Sequence, residues 1–210
     1  MKASDLLVRC LEAEGIQYVF GVPGEENADV MMSLEGSDIR FVLCRHEQGA
    51  AFMAEVHGRL TGEPAGALGT LGPGATNLLT GVADANMDRS PMIVLTGQGA
   101  TTRLHKESHQ VMDVVAMYKP ITKWAQTVHH ARNIPEIVRK AVRIAKTEKP
   151  GACLIELPED IADHDVDAEP IVPHRFRRPD PDDKIVDQAW AAIQAAERPI
   201  NIAGNGTIRR

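Results

Sequence analysis

Short apolar runs alternate with longer amphipathic segments through most of this chain, and this alternation constrains the fold more than any other feature. In the amphipathic segments, apolar residues recur every three or four positions, which is typical of helices with one buried face. The apolar runs lack the period-two alternation of half-exposed strands, so they favour strands buried on both faces. Six runs are predicted as strands: residues 18–20, 39–44, 65–71, 91–97, 121–128 and 153–157.

Repeated strand–helix units predict a mostly parallel sheet that is covered by helices on both sides and joined by right-handed crossovers. Ser4 or Asp5 is expected to cap the first helix, and Gly15 is expected to end it. In open parallel sheets, ligands bind at the carboxyl ends of the strands. The turns that follow the strands are therefore the places to search for a site.

The composition changes to Asp, Pro, His and Arg between residues 163 and 183, which indicates a linker. The basic cluster Arg175, Arg177 and Arg178 falls within it and is expected to be solvated. A helix around Ile185 and a strand over residues 199–203 are predicted beyond it, but one such step cannot build its own core. The predicted organisation is a domain over residues 1–163, a linker over 164–183 and the beginning of a truncated second domain over 184–210.

Charge and composition exclude several classes of function. The formal net charge is -6 and no Lys/Arg run dominates any segment, which argues against a nucleic-acid or anionic-membrane surface. The start of the chain is amphipathic, without an apolar signal core or a membrane-length apolar run. Cys10, Cys44 and Cys153 lie in apolar contexts, which favours buried free thiols in a reducing cytoplasm.

Glu47 is the first candidate for chemistry. If the segment is helical, Glu47 shares a face with Ala51, Ala54 and Gly58, and that face has so little bulk that another group can approach it. The plainer interpretation is that Glu47 complements the dipole in the first turn of the helix, which contributes about 0.3–1 kcal/mol. The glycine turn over residues 72–74 could hold an anion, but it fits neither a P-loop nor a dinucleotide fingerprint.

Four motifs in order carry a resemblance to a known family: RHEQ-x-A-x-x-M-A from Arg45, T-x-GPGATN from Thr70, D-x-SPM from Asp88, and GQ at Gly97. Together they resemble thiamine-diphosphate-dependent enzymes of the acetolactate synthase group over nearly the whole chain. The resemblance implies a pyrimidine-binding domain of three α/β/α layers around a mostly parallel, roughly six-stranded sheet. It also implies a homodimer or homotetramer assembled through this domain.

The resemblance implies an enzyme that condenses two pyruvates into 2-acetolactate and releases carbon dioxide. In this family a carboxylate, here Glu47, hydrogen-bonds the N1′ atom of the cofactor's aminopyrimidine and must be sheltered from water. The bare Ala51 and Ala54 face would then make room for the flat ring and for a helix of a second subunit. By the same resemblance, the residues expected against the aminopyrimidine and its edge are Thr70, Pro73, Asn77, Pro23 and Gly24. Gln110 and Glu25 are expected on the substrate side.

Family members hold the diphosphate through Mg²⁺ at a Gly-Asp-Gly…Asn motif of their C-terminal domain, and these 210 residues contain no such motif. The Mg²⁺ site is therefore expected in a domain outside this chain, and the chain alone is expected to be inactive. FAD dependence of the complete protein stays open. His105 and His109 are spaced like a metal-binding pair, but without a third ligand they predict no metal site.

Departures from the family pattern keep the substrate open. Glu25 stands where synthases usually carry a small residue and related keto-acid decarboxylases carry Asp. Residues 105–110 (HKESHQ) are closer to the loop of catabolic synthases than to that of the biosynthetic, flavin-containing ones. His129 and His130 resemble the paired histidines of decarboxylases, although a solvated surface is expected for them. Two alternatives therefore stand beside the synthase: a non-oxidative 2-keto-acid decarboxylase, and a non-catalytic or regulatory subunit of a split enzyme.

Overall fold

One six-stranded sheet organises the larger part of the molecule; the computed structural model describes residues 1–173 and 180–207. The strands are β1 (Tyr18–Gly21), β2 (Arg40–Leu43), β3 (Ala65–Gly69), β4 (Met92–Gln98), β5 (Trp124–Thr127) and β6 (Ala152–Pro158). Their spatial order is β2-β1-β3-β4-β6-β5, and every neighbouring pair is parallel. The predicted six-stranded parallel sheet is confirmed.

Helices cover both faces of this sheet. They are α1 (Ala3–Ala13), α2 (Ala28–Glu35), α3 (Glu47–Thr61), α4 (Pro73–Met87), α5 (Val114–Tyr118), α6 (Ile134–Lys146) and α7 (Glu159–Asp163). Two separate apolar clusters result, one with α1, α2, α6 and α7 and the other with α3, α4 and α5. Successive β4 residues alternate between them: Ile93 and Leu95 join the first cluster, whereas Met92 and Val94 join the second. The three-layer α/β/α arrangement is therefore confirmed.

The start of α1 differs from the prediction. The helix begins at Ala3 with Lys2 as its N-cap, so the expectation that Ser4 or Asp5 would cap it was wrong. Asp5 still contributes, because its carboxylate accepts a hydrogen bond from the Lys2 backbone N–H at 3.3 Å. Lys2 also forms a β-bridge with Asp165. Pairing with a distant segment thus sets where this helix begins, and local capping preference does not reveal it.

The small-residue face of α3 packs against α4 of the same chain. Ala51 and Ala54 are completely buried, and a Cβ added to Gly81 of α4 would lie 2.6 Å from the Cβ of Ala51. A Cβ on Gly58 would collide with the carbonyl oxygen of Pro91. The expectation that this face receives a flat ring and a partner's helix was therefore wrong. Its lack of bulk lets the two helices approach each other almost to backbone contact.

The described residues 180–207 belong to a second unit, whereas the first ends at Pro173, within the predicted linker. The second unit contains α8 (Asp183–Ala195), where the Asp182 side chain accepts a hydrogen bond from the Lys184 N–H at 2.9 Å. The strand predicted over residues 199–203 does not form, because a strand needs a neighbour to take its backbone hydrogen bonds. Outside the described residues lie Arg175, Arg177, Arg178 and residues 208–210.

The three cysteines are buried and unpaired, as predicted. Burial raises the pKa of both Cys10 and Cys153 to about 12, which keeps these thiols protonated and unreactive. No helix within residues 1–173 and 180–207 combines the length and apolar character that crossing a membrane requires.

Close packing of α3 on α4 makes a testable prediction. Gly81→Ala places a methyl group against Ala51, so we expect the free energy of unfolding to fall by about 1–3 kcal/mol. Gly49→Ala in α3 is the matched control, because a Cβ at Gly49 would meet nothing within 4 Å. That variant should be more stable by about 0.4–1 kcal/mol. Urea denaturation measures both, and equal stabilisation by the two substitutions would contradict the packing.

Candidate functional site

The three segments singled out in the sequence meet at one edge of the sheet. Because the strands are parallel, their carboxyl ends lie together, and β2, β1 and β3 are immediate neighbours. β1 leads into Pro23 and Gly24, β2 leads into His46 and Glu47, and β3 leads into Thr70 and the glycine turn. This edge is therefore the candidate site.

Glu47 is the first residue of α3, and its side chain turns inward. Only 8% of its surface is exposed, and its Oε2 accepts a hydrogen bond from Asn77 Nδ2 of α4 at 2.9 Å. His46 caps the helix in its place, since its Nδ1 accepts the Gln48 backbone N–H at 3.1 Å. His46 thus satisfies one backbone N–H of the first turn, and Glu47 is the acidic residue of that turn.

Glycines without side chains lie beside the Glu47 carboxylate and around the neighbouring Thr70. A Cβ on Gly74 would lie 3.4 Å from Glu47 Oε1 and 2.8 Å from Thr70 Cγ2. A Cβ on Gly24 would lie 2.5 Å from the Cβ of Thr70. Asn27 fixes that turn, because its Oδ1 accepts the Gly24 N–H at 2.9 Å. Thr70 is therefore packed between two glycine turns, neither of which has room for a side chain.

The predicted substrate-side residues differ in their placement. Gln110 is exposed and has a φ of 54°, and its backbone oxygen would lie 2.7 Å from a Cβ on Gly72. The segment after β4 therefore returns to the glycine turn, and the substrate-side role of Gln110 stays a prediction. The Glu25 side chain is exposed in the short 3-10 turn Glu25–Asn27. Pro23 and Pro73 are exposed at the same edge of the sheet.

Sequence reasoning missed Glu26, the neighbour of Glu25. Glu26 is only 6% exposed, and its Oε2 accepts a hydrogen bond from Thr70 Oγ1 at 3.0 Å. Arg103 places its Nη2 3.8 Å from Glu26 Oε1. Two adjacent glutamates after a glycine turn are ambiguous in sequence, because only the geometry of the turn decides which of them points inward.

A second buried acid, Glu156 of β6, was also missed. Its Oε1 accepts a hydrogen bond from Gln98 Nε2 at 2.9 Å, and its Oε2 accepts one from the Thr127 hydroxyl at 2.6 Å. Burial raises the pKa of Glu156, although these two hydrogen bonds act in the opposite direction. Gln98 Nε2 also donates to the Met112 carbonyl at 3.0 Å, which anchors the segment that carries Gln110. The GQ motif was the sequence signal that could have pointed to this acid, because its Gln98 is a hydrogen-bond partner of Glu156.

Other clusters with possible chemistry lie elsewhere. Among residues 1–173 and 180–207, one acidic group with metal-ligand spacing occurs, Glu55 with Asp84 and Asp88. Arg59 bridges Glu55 and Asp88, so this group forms an ion-pair network. The four histidines that the sequence singled out are all exposed: His105, His109, His129 and His130. Residues 104–110 form no helix, so the spacing of His105 and His109 does not place them on one helical face.

A parallel α/β/α domain with a buried, oriented carboxylate at its ligand edge is the type of domain that binds an organic cofactor. The chain belongs to the thiamine pyrophosphate enzymes, because residues 1–117 match the N-terminal thiamine pyrophosphate binding domain of that family. The resemblance inferred from the four motifs is therefore confirmed.

Curated relatives agree with this assignment. The chain is 41% identical to the catabolic acetolactate synthase of Raoultella terrigena, over 96% of this chain and 36% of that protein. It is 38% identical to the acetolactate synthase of Bacillus subtilis, over 97% of this chain and 36% of that protein. It is 35% identical to the glyoxylate carboligase of Escherichia coli O157:H7, over 99% of this chain and 36% of that protein. The chain thus spans about a third of the length of these relatives.

The site residues fit the aminopyrimidine half of thiamine diphosphate. The turns at Gly24 and Gly74 close directly on the Thr70 side chain, so the fit rests on the Glu47 carboxylate. A ring nitrogen needs a polar partner that water does not compete for, and the buried Glu47 carboxylate, oriented by Asn77, offers one. The diphosphate half would require hard oxygen ligands around Mg²⁺. The glycine-turn residues supply no such set.

The contact between Gly72 and Gln110 makes a prediction for this site. Gly72 and Gly62 both have positive φ, 50° and 74°, but only Gly72 would push a Cβ into another segment. Both Gly→Ala substitutions should therefore lose about 1 kcal/mol from the backbone conformation. Gly72→Ala should lose about 1–3 kcal/mol more from the clash with Gln110. Thermal or urea denaturation of the two variants tests this, and equal losses would show that Gln110 does not lie against the turn.

Proposed function

We propose that this chain is the cofactor-activating, pyrimidine-binding part of a thiamine-diphosphate-dependent carboligase that condenses two pyruvates into 2-acetolactate with release of carbon dioxide. The observation that carries the proposal is the buried Glu47 carboxylate, held by Asn77 at the ligand edge of the sheet. Relatives at 38–41% identity that are named acetolactate synthases support the reaction.

Glu47 would hold the N1′ atom of the aminopyrimidine. Asn77 occupies Oε2, so Oε1, which lies beside Gly74, is the oxygen placed for the cofactor. When bound, thiamine diphosphate supplies the acidic carbon and the electron sink that the carbon–carbon chemistry requires. The task of Glu47 is to hold or move a proton at this oxygen, and its burial keeps water from competing for that proton.

The other site residues would hold and orient the cofactor ring and the keto acid. Thr70, Pro73 and Asn77 would lie against the ring, and Pro23 and Gly24 would line its edge. Gln110 and Glu25 would face the keto acid from the substrate side. The Mg²⁺ ion and the diphosphate would be held by a domain outside this chain, and whether the larger protein binds FAD stays open.

The proposed organisation is the pyrimidine-binding domain over residues 1–163, a linker over 164–183 and the beginning of a central domain over 184–210. The helix α8 supports the last part, because it exposes a row of apolar side chains that a further layer would cover: Ile185, Val186, Trp190 and Ile193. The 36% coverage of the relatives supports a longer protein.

A homo-oligomer through the pyrimidine-binding domain is part of the proposal. Met53, Val56 and Leu60 of α3 are 47%, 46% and 79% exposed and share the side of the helix opposite its small-residue face. Such a row of exposed apolar side chains suits contact with the same row of a second copy about a two-fold axis. Three buried, unpaired cysteines suit a reducing cytoplasm as the location.

The first prediction of this function concerns Glu47. In the complete protein, Glu47→Gln should keep the fold and lower turnover of pyruvate by about 10²–10⁴-fold, because the amide cannot carry the proton. Glu35→Gln, which removes an exposed carboxylate from the end of α2, is the matched control and should behave as the wild type. Wild-type turnover by Glu47→Gln would contradict the role.

Product analysis in the same assay, with and without added FAD, separates the candidate activities. 2-Acetolactate from pyruvate supports the carboligase, whereas acetaldehyde would identify the decarboxylase. A complete protein that yields neither product would favour a non-catalytic or regulatory subunit.

The second prediction concerns the 210-residue chain alone. Because the diphosphate carries most of the cofactor's charge and its ligands are not among the site residues, we expect weak binding of thiamine diphosphate, with a Kd of roughly 1 mM or above, and no turnover. Isothermal titration calorimetry with Mg²⁺ present measures this. Tight binding, with a Kd of about 1 μM, would contradict the assignment of the diphosphate site to another domain.

A further inference from the structure

The carboxyl edge of the sheet contains a second buried glutamate, for which the proposed function assigns no role. Glu26 lies in the 3-10 turn after β1 and is 6% exposed. Its backbone is tightly enclosed, because a Cβ on Gly97 of β4 would lie 2.9 Å from the Glu26 carbonyl oxygen. A carboxylate fixed this firmly beneath a ligand site is expected to have a task, because burying it is costly.

The first contact of the Glu26 carboxylate is a hydrogen bond that uses the hydroxyl proton of Thr70. A threonine hydroxyl has one proton to donate, and Thr70 donates it to Glu26 Oε2 at 3.0 Å. Towards any ligand, Thr70 can then offer only the lone pairs of its oxygen. Gly24 and Gly74 close on the rest of this side chain and restrict its rotation. Thr70 is therefore held as a hydrogen-bond acceptor, which suits an N–H donor on the ligand.

The second contact reaches the segment that follows β4. Arg103 Nη2 lies 3.8 Å from Glu26 Oε1 and 3.3 Å from Glu159 Oε1 of α7. Nε and Nη2 of Arg103 are buried and make no hydrogen bond with any residue of the described ranges, so charge attraction holds this guanidinium. The same segment then continues to Gln110, which lies against Gly72.

We propose that Glu26 is a positioning residue of this site: it holds Thr70 as an acceptor for an N–H group of the bound cofactor and, through Arg103, anchors the segment that brings Gln110 to the glycine turn. The anchoring role belongs to the chain itself. The acceptor role rests on the proposed function, because it requires thiamine diphosphate, whose aminopyrimidine carries such an N–H donor.

The anchoring role is tested on the 210-residue chain without cofactor. Hydrogen–deuterium exchange should show amides of residues 100–112 exchanging about tenfold faster in Glu26→Gln, with α3 and α4 unchanged, because the charge that attracts Arg103 is removed. Glu35→Gln is the matched control and should exchange as the wild type. Arg103→Gln removes the ion pairs with both Glu26 and Glu159 and should release the same residues, whereas Glu159→Gln should release them less, because Glu26 still attracts Arg103. This comparison keeps the test decisive if Glu26→Gln folds poorly. Unchanged exchange at residues 100–112 in Glu26→Gln, or equal release by Glu159→Gln and Arg103→Gln, would overturn this role.

The acceptor role is tested by a double-substitution cycle on thiamine diphosphate affinity in the complete protein. Thr70→Val should raise the Kd by about tenfold, as for one lost hydrogen bond, whereas Thr70→Ser should restore most of the affinity. Glu26→Leu, which leaves no acceptor for the Thr70 hydroxyl, should add little in the Thr70→Val background, because both changes remove the same contact. Independent, multiplicative losses, or no rescue by serine, would overturn it. If the wild type binds no thiamine diphosphate, the proposed function and the acceptor role both fail, while the exchange experiment still decides the anchoring role.

Discussion

A hydrogen bond from Asn77 to Glu47 joins the beginnings of two helices that touch each other through small residues. Gly81 leaves room for Ala51, so α3 can lie close to α4, and Gly58 leaves room for Pro91 just before β4. Only at that separation can an asparagine on one helix reach a carboxylate on the other at 2.9 Å. The geometry of the candidate site thus depends on glycines further along the same two helices, where a larger side chain would push the helices apart.

Within the described part of the chain, three buried glutamates lie at the ligand edge, and each accepts at least one hydrogen bond from a neutral donor. Asn77 donates to Glu47, Thr70 donates to Glu26, and Gln98 and Thr127 donate to Glu156. Neutral hydrogen bonds fix the direction of a carboxylate without cancelling its charge, so it can still attract a proton or a cation. Arg103 near Glu26 is one consequence, since it connects the segment after β4 to the site.

The layers of the fold and the central strands β3, β4 and β6 could be predicted from sequence, because strands buried on both faces leave a continuous apolar signal. The edge strands β2 and β5 were also located, although they are only partly buried. The position of Glu47 beside the turns after β1 and β3 was also accessible, since parallel strands must bring residues after β1, β2 and β3 to one edge. Sequence could not predict that the Ala51 face packs against α4, because a stripe of small residues indicates a close neighbour without identifying it. The same limit applies to Glu25 and Glu26, whose opposite exposures depend on a single 3-10 turn. At residues 199–203 the local pattern favoured a strand, but backbone pairing depends on a neighbour that no local pattern reveals.

The central claim is that the buried carboxylate of Glu47 is the group that meets the cofactor ring. A crystal structure of the complete protein with thiamine diphosphate and Mg²⁺ tests it most directly. We expect a Glu47 carboxylate oxygen at a hydrogen-bond distance of about 2.6–3.0 Å from N1′ of the aminopyrimidine, with Asn77 still bound to the other oxygen. A ring bound elsewhere on the protein, or a Glu47 side chain turned into solvent with the cofactor in place, would contradict it.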